Sequence, residues 1–261
     1  MKTGLCALFV LATAAGPLEA IELTQPGGVL HGYPAMLDLN GKKLGRGEFI
    51  QEMRAKLLHI QISYDLINGH QIVEKASFQQ RPEVAQKEWS WQEHDGGTLV
   101  RSYAIDFDSG KAAAEKREKN GLRHWSEQLK IEPGQTFAGF GFTLALQNLR
   151  DRLHKGEAIT LKAVGFMPKP RVVPVKLSYH GVDRMSMSER VLRGEHFMVQ
   201  AEIPAVLKLF IKISDTSIWL TPPPSSFLRY EGPLAEPTEQ VVRVDLTSGG
   251  ESGRARPVDK Q

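Results

Sequence analysis

The chain has 261 residues, a formal net charge of +3 and 41% apolar residues, enough to build a buried core. Its small basic excess is spread along the chain without a basic block or arm, which argues against a nucleic-acid-binding protein. Cys6, the only cysteine, lies in a segment that we expect to be removed. Disulfides, thiol catalysis and cysteine-ligated metals are therefore excluded for the rest of the chain.

Residues 1–20 have the features of a secretory signal peptide. Lys2 gives a basic start, Leu5 to Ala15 is an unbroken run of apolar and small residues, and Pro17 ends it. The run is far shorter than the ~20 residues that a membrane-spanning helix needs. We expect cleavage near Ala20 and localisation to the periplasm or the extracellular medium. No later segment is long and apolar enough for a span, and peripheral contact with the envelope membrane is left open.

Residues 21–246 are expected to form a single β-rich domain of short strands and tight turns. Four dipeptides favour the positive φ of two-residue hairpin turns: Asn40-Gly41, Asn68-Gly69, Gly96-Gly97 and Asn120-Gly121. The predicted strands are residues 57–64, 71–78, 89–91, 98–107, 158–166, 172–179, 190–203, 208–213, 218–220 and 241–246. Because the connections are too short for helical crossovers, the strands predict a twisted antiparallel meander. Residues 247–261 are expected to form a disordered tail.

One segment breaks the strand pattern. Phe142 to His154 places apolar residues at helical spacing and stops before Gly156, which predicts one helix. Residues 112–119 are also rich in helix formers, but Asn120-Gly121 fits a hairpin at least as well, and both alternatives stay open.

The sequence indicates no catalytic residue, metal site or cofactor, and we do not expect an enzyme. The nucleophile-elbow, zincin and phosphate-loop motifs are absent, and none of the eight histidines lies two or four residues from another. Residues 106–111 resemble the start of a calcium loop, but a strand ending in an Asp-Ser-Gly turn explains them better. Residues 93–95 border Gly96-Gly97, and we expect them at an exposed hairpin tip.

Apolar residues are the candidate ligand-binding group. Trp89 and Trp91 are two residues apart, so both rings share one face if Ser90 lies in a strand. Three phenylalanines lie around the start of the predicted helix. The residues expected to line an apolar cavity are Trp89, Trp91, Phe137, Phe140, Phe142, Leu146 and Leu149. Ordinary core packing is the alternative interpretation.

The segment Leu144 to Arg150, followed by Leu153 and Lys155-Gly156-Glu157, resembles the helix-then-glycine step of an uncharacterised group of bacterial periplasmic proteins. Residues 208–215 and Trp219-Leu220 fall where that group has its closing strands. The resemblance implies a half-barrel similar to the lipoprotein-carrier proteins of the periplasm. Such a concave sheet, partly covered by one helix, is able to hold an acyl chain or another amphiphile.

Three functions follow as hypotheses, and the first is preferred. The protein is a periplasmic binding or carrier protein for a lipid-like or other apolar ligand, an envelope assembly or interaction factor, or a hydrolase with a dispersed site. A cavity lined by aromatic residues favours the first, and a filled barrel with an exposed flat edge strand favours the second. A buried histidine beside a carboxylate and a serine favours the third.

Overall fold

The computed structural model describes residues 21–187, 190–202 and 213–248. These residues form fifteen strands and one helix. In chain order the elements are β1 (Leu30–Leu37), β2 (Lys43–Arg54), β3 (Leu57–Leu66), β4 (His70–Gln79), β5 (Ala85–Asp95), β6 (Thr98–Asp106), β7 (Lys111–Glu118), β8 (Gly121–Gln128), β9 (Thr136–Phe137), α1 (Gly141–His154), β10 (Ile159–Phe166), β11 (Pro170–Met187), β12 (Arg190–Ala201), β13 (Thr216–Leu220), β14 (Phe227–Pro233) and β15 (Val241–Ser248).

The described strands make one curled sheet. From β8 down to β1 each strand pairs with its chain neighbour, β1 pairs with β15, and the order continues from β15 down to β9. The two ends of the sheet, β8 and β9, form no hydrogen-bonded ladder with each other in the described residues. Phe166 of β10 packs against Trp89 of β5, with ring centroids 5.5 Å apart. The prediction of a mainly β half-barrel partly covered by one helix is confirmed.

The four predicted hairpin turns are confirmed. Each joins two antiparallel strands, and each has a glycine with positive φ: 85° at Gly41, 89° at Gly69, 83° at Gly97 and 119° at Gly121. The helical alternative for residues 112–119 is wrong, because they lie in β7 and in the turn to β8. Alternation explains the outcome: Ala112 and Ala114 are both buried on one face of β7, and their burial outweighs the helix propensity of the segment.

One pair of strands departs from the antiparallel meander. β9 and β10 are parallel, and α1 provides the crossover that parallel neighbours require. The helix prediction is confirmed within one residue of its start. Arg150 of α1 donates two hydrogen bonds, of 2.6 and 2.7 Å, to the Glu195 carboxylate on β12. The Asn148 side chain accepts 2.8 Å and 3.0 Å bonds from the Thr24 and Gln25 backbone N–H groups, so α1 is fixed at both the sheet and the N-terminal segment.

Three long strands were not predicted. They are β1, β2 and β14, which contain Pro34, Gly45, Gly47 and Gly232, residues that usually interrupt strands. β15 extends two residues past its predicted end and into the expected tail. The predicted signal peptide, the tail from residue 249 and all but Ile213 of the predicted strand 208–213 lie outside the described residues. In the described part of the chain, no helix is long and apolar enough to cross a membrane.

Candidate functional site: an apolar cavity inside the curled sheet

A partly enclosed cavity of about 230 Å³ lies inside the curled sheet. Its walls come from β1 to β5 and β10 to β15, from the loop between β14 and β15, and from the start of α1. Aromatic rings form much of the wall. Phe140 lies 5.2 Å from Phe49 and 5.3 Å from Phe227, measured between ring centroids. The cavity exceeds the ~150 Å³ of an engineered apolar cavity that binds benzene, so it has room for a small apolar molecule.

The sequence-predicted site residues divide into two groups. Trp89, Trp91, Phe140 and Phe142 line the cavity. The other three, Phe137, Leu146 and Leu149, pack in the core outside the described cavity wall and are at most 2% exposed. The two leucines lie outside the wall because of their place on α1. Most residues of this helix are buried, and only its first turn, with Phe142 and Thr143, reaches the cavity. A role in ligand binding stays a prediction for the first group.

Glu74 gives the cavity a polar end. It lies on the inner face of β4, and its Oε1 accepts a 2.7 Å bond from Trp89 Nε1 and a 2.8 Å bond from the Phe140 backbone N–H. Burial raises the pKa of this carboxyl, against the lowering effect of the two hydrogen bonds. Gly139, at φ +50°, makes the arrangement possible, because a Cβ there would lie 2.1 Å from Glu74 Oε1.

Two tyrosines lie near this carboxyl. Burial raises the pKa of Tyr64 and of Tyr230, and the Glu74 charge raises both further. The Tyr230 hydroxyl donates a 2.6 Å bond to the Pro233 carbonyl. The Tyr64 hydroxyl has no hydrogen-bond partner among the described residues and lines the cavity. Beside the Glu74 carboxyl, the described wall therefore holds the Tyr64 hydroxyl and the hydroxyls of Thr143, Ser214 and Thr216.

A loop beside the cavity is held by charges. The strap loop (residues 234–240) joins β14 to β15, and three of its residues line the cavity. Its Glu236 accepts 2.6 Å bonds from Tyr103 Oη of β6 and Lys116 Nζ of β7. Arg101 of β6 donates to Glu239 of the loop and, at 2.6 Å, to Glu93 of β5. The strap loop is thus tied to the opposite side of the sheet.

This network corrects one sequence-based expectation. Residues 93–95 do border a hairpin turn, but Glu93 is only 8% exposed instead of lying at an open tip. Its Oε1 lies 2.6 Å from His70 Nδ1, and its Oε2 accepts from Arg101. Burial raises the pKa of Glu93, but the His70 hydrogen bond and the Arg101 charge outweigh it and leave the pKa below its usual value.

A larger groove lies on the outer face of β2 to β8. It measures about 1050 Å³ and is lined by polar residues, among them His59, Lys75, Glu88 and Ser90, together with a few apolar ones such as Ile50 and Ile105. The pairing of Lys75 with Ser90 and of His59 with Ser77 places these side chains on the face opposite Trp89 and Ile60. The groove is more open and more polar than the inner cavity, so the inner cavity is the candidate site.

The described residues do not assemble a hydrolase triad. Ser178 Oγ lies 2.9 Å from His180 Nε2, and this histidine is exposed. The nearby Asp183 carboxylate pairs instead with His196 Nδ1, at 3.4 Å, and accepts a 2.8 Å bond from Trp219 Nε1. A base must be oriented by its own carboxylate to activate a serine, and here the two contacts fall on different histidines. No group of three or more histidine, cysteine or acidic residues suited to a metal occurs in the described chain.

Sequence reasoning missed Glu74, although a signal was present. In the predicted strand 71–78, residues 72, 74, 76 and 78 share one face, and the other three are isoleucine, alanine and phenylalanine. A single glutamate on an otherwise apolar face is a buried carboxylate in need of partners. Those partners come from distant positions, Trp89 and the backbone before α1, and their pairing requires the fold.

Comparison with known proteins shows similarity at the level of structure. No family model matches the chain, and no curated protein matches it. A crystal structure described as a beta-barrel-like protein of domain of unknown function DUF1849, from Brucella abortus, is similar, with a TM-score of 0.45 and 10% sequence identity. The match covers 88% of this chain and 98% of that one.

Proposed function

We propose that the protein binds or carries a small apolar or amphiphilic molecule in the inner cavity, after export to the periplasm or cell exterior. The observation that supports this most is the aromatic-lined cavity of about 230 Å³ inside an otherwise well-packed curled sheet. Protein interiors are normally packed with few voids larger than a water molecule. A partly enclosed apolar space with a few polar groups is the usual form of a small-molecule site.

The cavity also distinguishes this proposal from its alternatives. An assembly factor acting through a sheet edge needs no internal space, and its edge strand should be long, flat and apolar. The edge strand β8 instead carries mainly polar side chains, and Arg123 and Glu127 form ion pairs there with Glu118 and Lys169. A dispersed hydrolase site is disfavoured by the separated serine, histidine and aspartate contacts described above.

The test is binding by the chain after expression with its own N-terminus. Native mass spectrometry of protein purified from the envelope fraction without detergent should show a bound small molecule. Titration of the stripped protein with the neutral probe N-phenyl-1-naphthylamine should give saturable fluorescence enhancement and a change in tryptophan emission, because Trp89 and Trp91 line the cavity. Absence of both a bound molecule and saturable probe binding would refute the proposal.

A further inference from the structure

Glu74 is the one charged residue among the described residues that line the cavity. Its inner-face neighbours on β4 are Ile72 and Ala76, both buried. Across the sheet it pairs with Ile62 on β3 and Trp91 on β5. A buried carboxyl without a cationic partner is energetically costly unless its oxygens are fully hydrogen-bonded.

The hydrogen bonds of this carboxyl are incomplete. Oε1 accepts from Trp89 Nε1 and from the Phe140 N–H, which fixes the orientation of the group. No described residue donates to Oε2. The Glu74 carboxyl is enclosed by protein. The residue is nevertheless only partly buried, because it lies on the cavity wall. Since Glu74 lines the cavity and its Oε1 is occupied, Oε2 is the oxygen available to a bound molecule, and Tyr64 lines the same cavity.

The other lining residues determine which ligand charge the cavity can accommodate. The described lining residues include no lysine, arginine or histidine. An anionic head group would enter an apolar space without a cation to pair with, beside a carboxyl that repels it when ionised. A hydroxyl or an amine donates a hydrogen bond to a carboxylate oxygen, and an ammonium group also neutralises its charge.

We infer that Glu74 is the polar anchor of the cavity, and that the ligand has a compact apolar body and a hydrogen-bond-donating neutral or cationic head, an alcohol or an amine, instead of a carboxylate or phosphate. Oε2 of Glu74 accepts the bond from the head, and Tyr64 supplies a second contact. The aromatic wall holds the apolar body. This inference rests on the proposed function and names the chemical class of its ligand.

The test compares three ligands that share one eight-carbon chain: octan-1-ol, octylamine and octanoate. Each is titrated at pH 8 into the stripped full chain, with displacement of N-phenyl-1-naphthylamine as the readout. The alcohol and the amine should each bind about tenfold or more tightly than octanoate, the size expected for a hydrogen bond to a charged group. Equal or tighter binding of octanoate would overturn the inference.

Two substitutions test whether Glu74 and Tyr64 cause the difference in ligand affinity. In Glu74→Gln the amide oxygen can still accept from Trp89 and Phe140, while its NH₂ group faces the cavity. We expect octylamine to lose about tenfold in affinity and the preference against octanoate to shrink. Tyr64→Phe should weaken octan-1-ol by a smaller factor. Glu88→Gln is the matched control, because Glu88 makes the same charge change on the outer face of β5 and is exposed.

The outcomes separate this inference from the proposed function. The role of Glu74 is refuted if the neutral probe binds but the three ligands bind with equal affinity, or if Glu74→Gln leaves the order of their affinities unchanged. In either case the cavity remains a binding site. If neither the probe nor any of the three ligands binds the stripped wild-type chain, both proposals fail. A melting curve for each variant shows whether a lost affinity comes from lost structure.

Discussion

Filling the cavity from its wall should raise stability and remove binding at the same time. Gly165 on β10 lines the cavity, and a Cβ built there meets no atom within 4 Å. The adjacent β10 residues Ala163, Val164 and Phe166 also line the cavity, and with open space around its Cβ a side chain at residue 165 is expected to enter it. Gly165→Val adds three carbons to that space and replaces a glycine in a strand, where a β-branched residue is favoured.

The expected gain follows from burial and backbone freedom. Each buried methylene contributes ~0.8 kcal/mol, and glycine in a strand interior costs roughly 0.5–1 kcal/mol relative to alanine. Because the site is only partly enclosed, we expect a net gain of about 1–2 kcal/mol, or about 3–6 °C in melting temperature for a chain of this size. Ordinary core packing predicts the opposite sign, since overpacking a filled core costs about 1–3 kcal/mol.

The assay combines calorimetric melting with titration of N-phenyl-1-naphthylamine. Gly165→Val should melt higher than wild type and bind the probe at least tenfold more weakly, a loss of about 1.4 kcal/mol in binding free energy. Gly28→Val is the control, because it makes the same change at an exposed glycine that also has open space around it. Unchanged probe affinity, or a melting temperature that falls, would refute the reasoning.

Four further predictions test other parts of the structure. Leu146→Ala should cost about 2–5 kcal/mol in unfolding free energy and leave probe affinity within twofold, because Leu146 is fully buried outside the described cavity wall; a matching loss of affinity would place it in the site. Gly139→Ala should destabilise more than Gly96→Ala, since both have φ near +50° but only the first places a Cβ against Glu74 and Trp89; equal urea-unfolding energies would contradict this. Arg101→Met should cost about 2–4 kcal/mol at pH 7, because Glu93 and Glu239 lose the guanidinium that each contacts; the folded-state pKa values of Glu93 and Glu236 lie below 4.5, so their contribution is present above that pH and is lost on acidification, and the difference from wild type should narrow as the pH falls below about 4.5. Leu8→Arg should block export, and N-terminal sequencing of the envelope protein should find wild type starting near Ile21; a wild-type chain still starting at Met1 in the cytosol would exclude the signal.

The sequence predicted the elements whose signals are local. Asn-Gly and Gly-Gly turns favour a hairpin through the φ that they permit, so the hairpins of β3 with β4 and of β5 with β6 could be anticipated, while that of β7 with β8 stayed one of two alternatives. The helix could be identified from the spacing of Phe142, Leu146 and Leu149. β1, β2 and β14 were not anticipated because Pro34 and the glycines at positions 45, 47 and 232 are residues that usually interrupt strands. In the fold, the absence of a side chain at such a glycine lets the neighbouring strand approach closely. A Cβ at Gly47 would lie 2.1 Å from the Ser63 carbonyl oxygen.

The candidate site was only half predictable for a different reason. Alternation places Trp89 and Trp91 on one face, and that face is the inner one. It does not tell which inner-face residues meet an empty space, because this depends on how far the sheet curls. Leu146 and Leu149 satisfy the same apolar pattern as Phe142, yet they fill the interior beside α1 instead of lining the cavity.

The single helix connects the fold to the polar end of the cavity. The β9–β10 pair is parallel and needs the crossover that α1 provides. The turn that leads into this helix brings the Phe140 N–H to Glu74, and a glycine at residue 139 allows the approach. This crossover therefore fixes the orientation of the one carboxyl among the described residues of the cavity wall. Its orientation by two donors from separate parts of the chain is what a preorganised binding group needs.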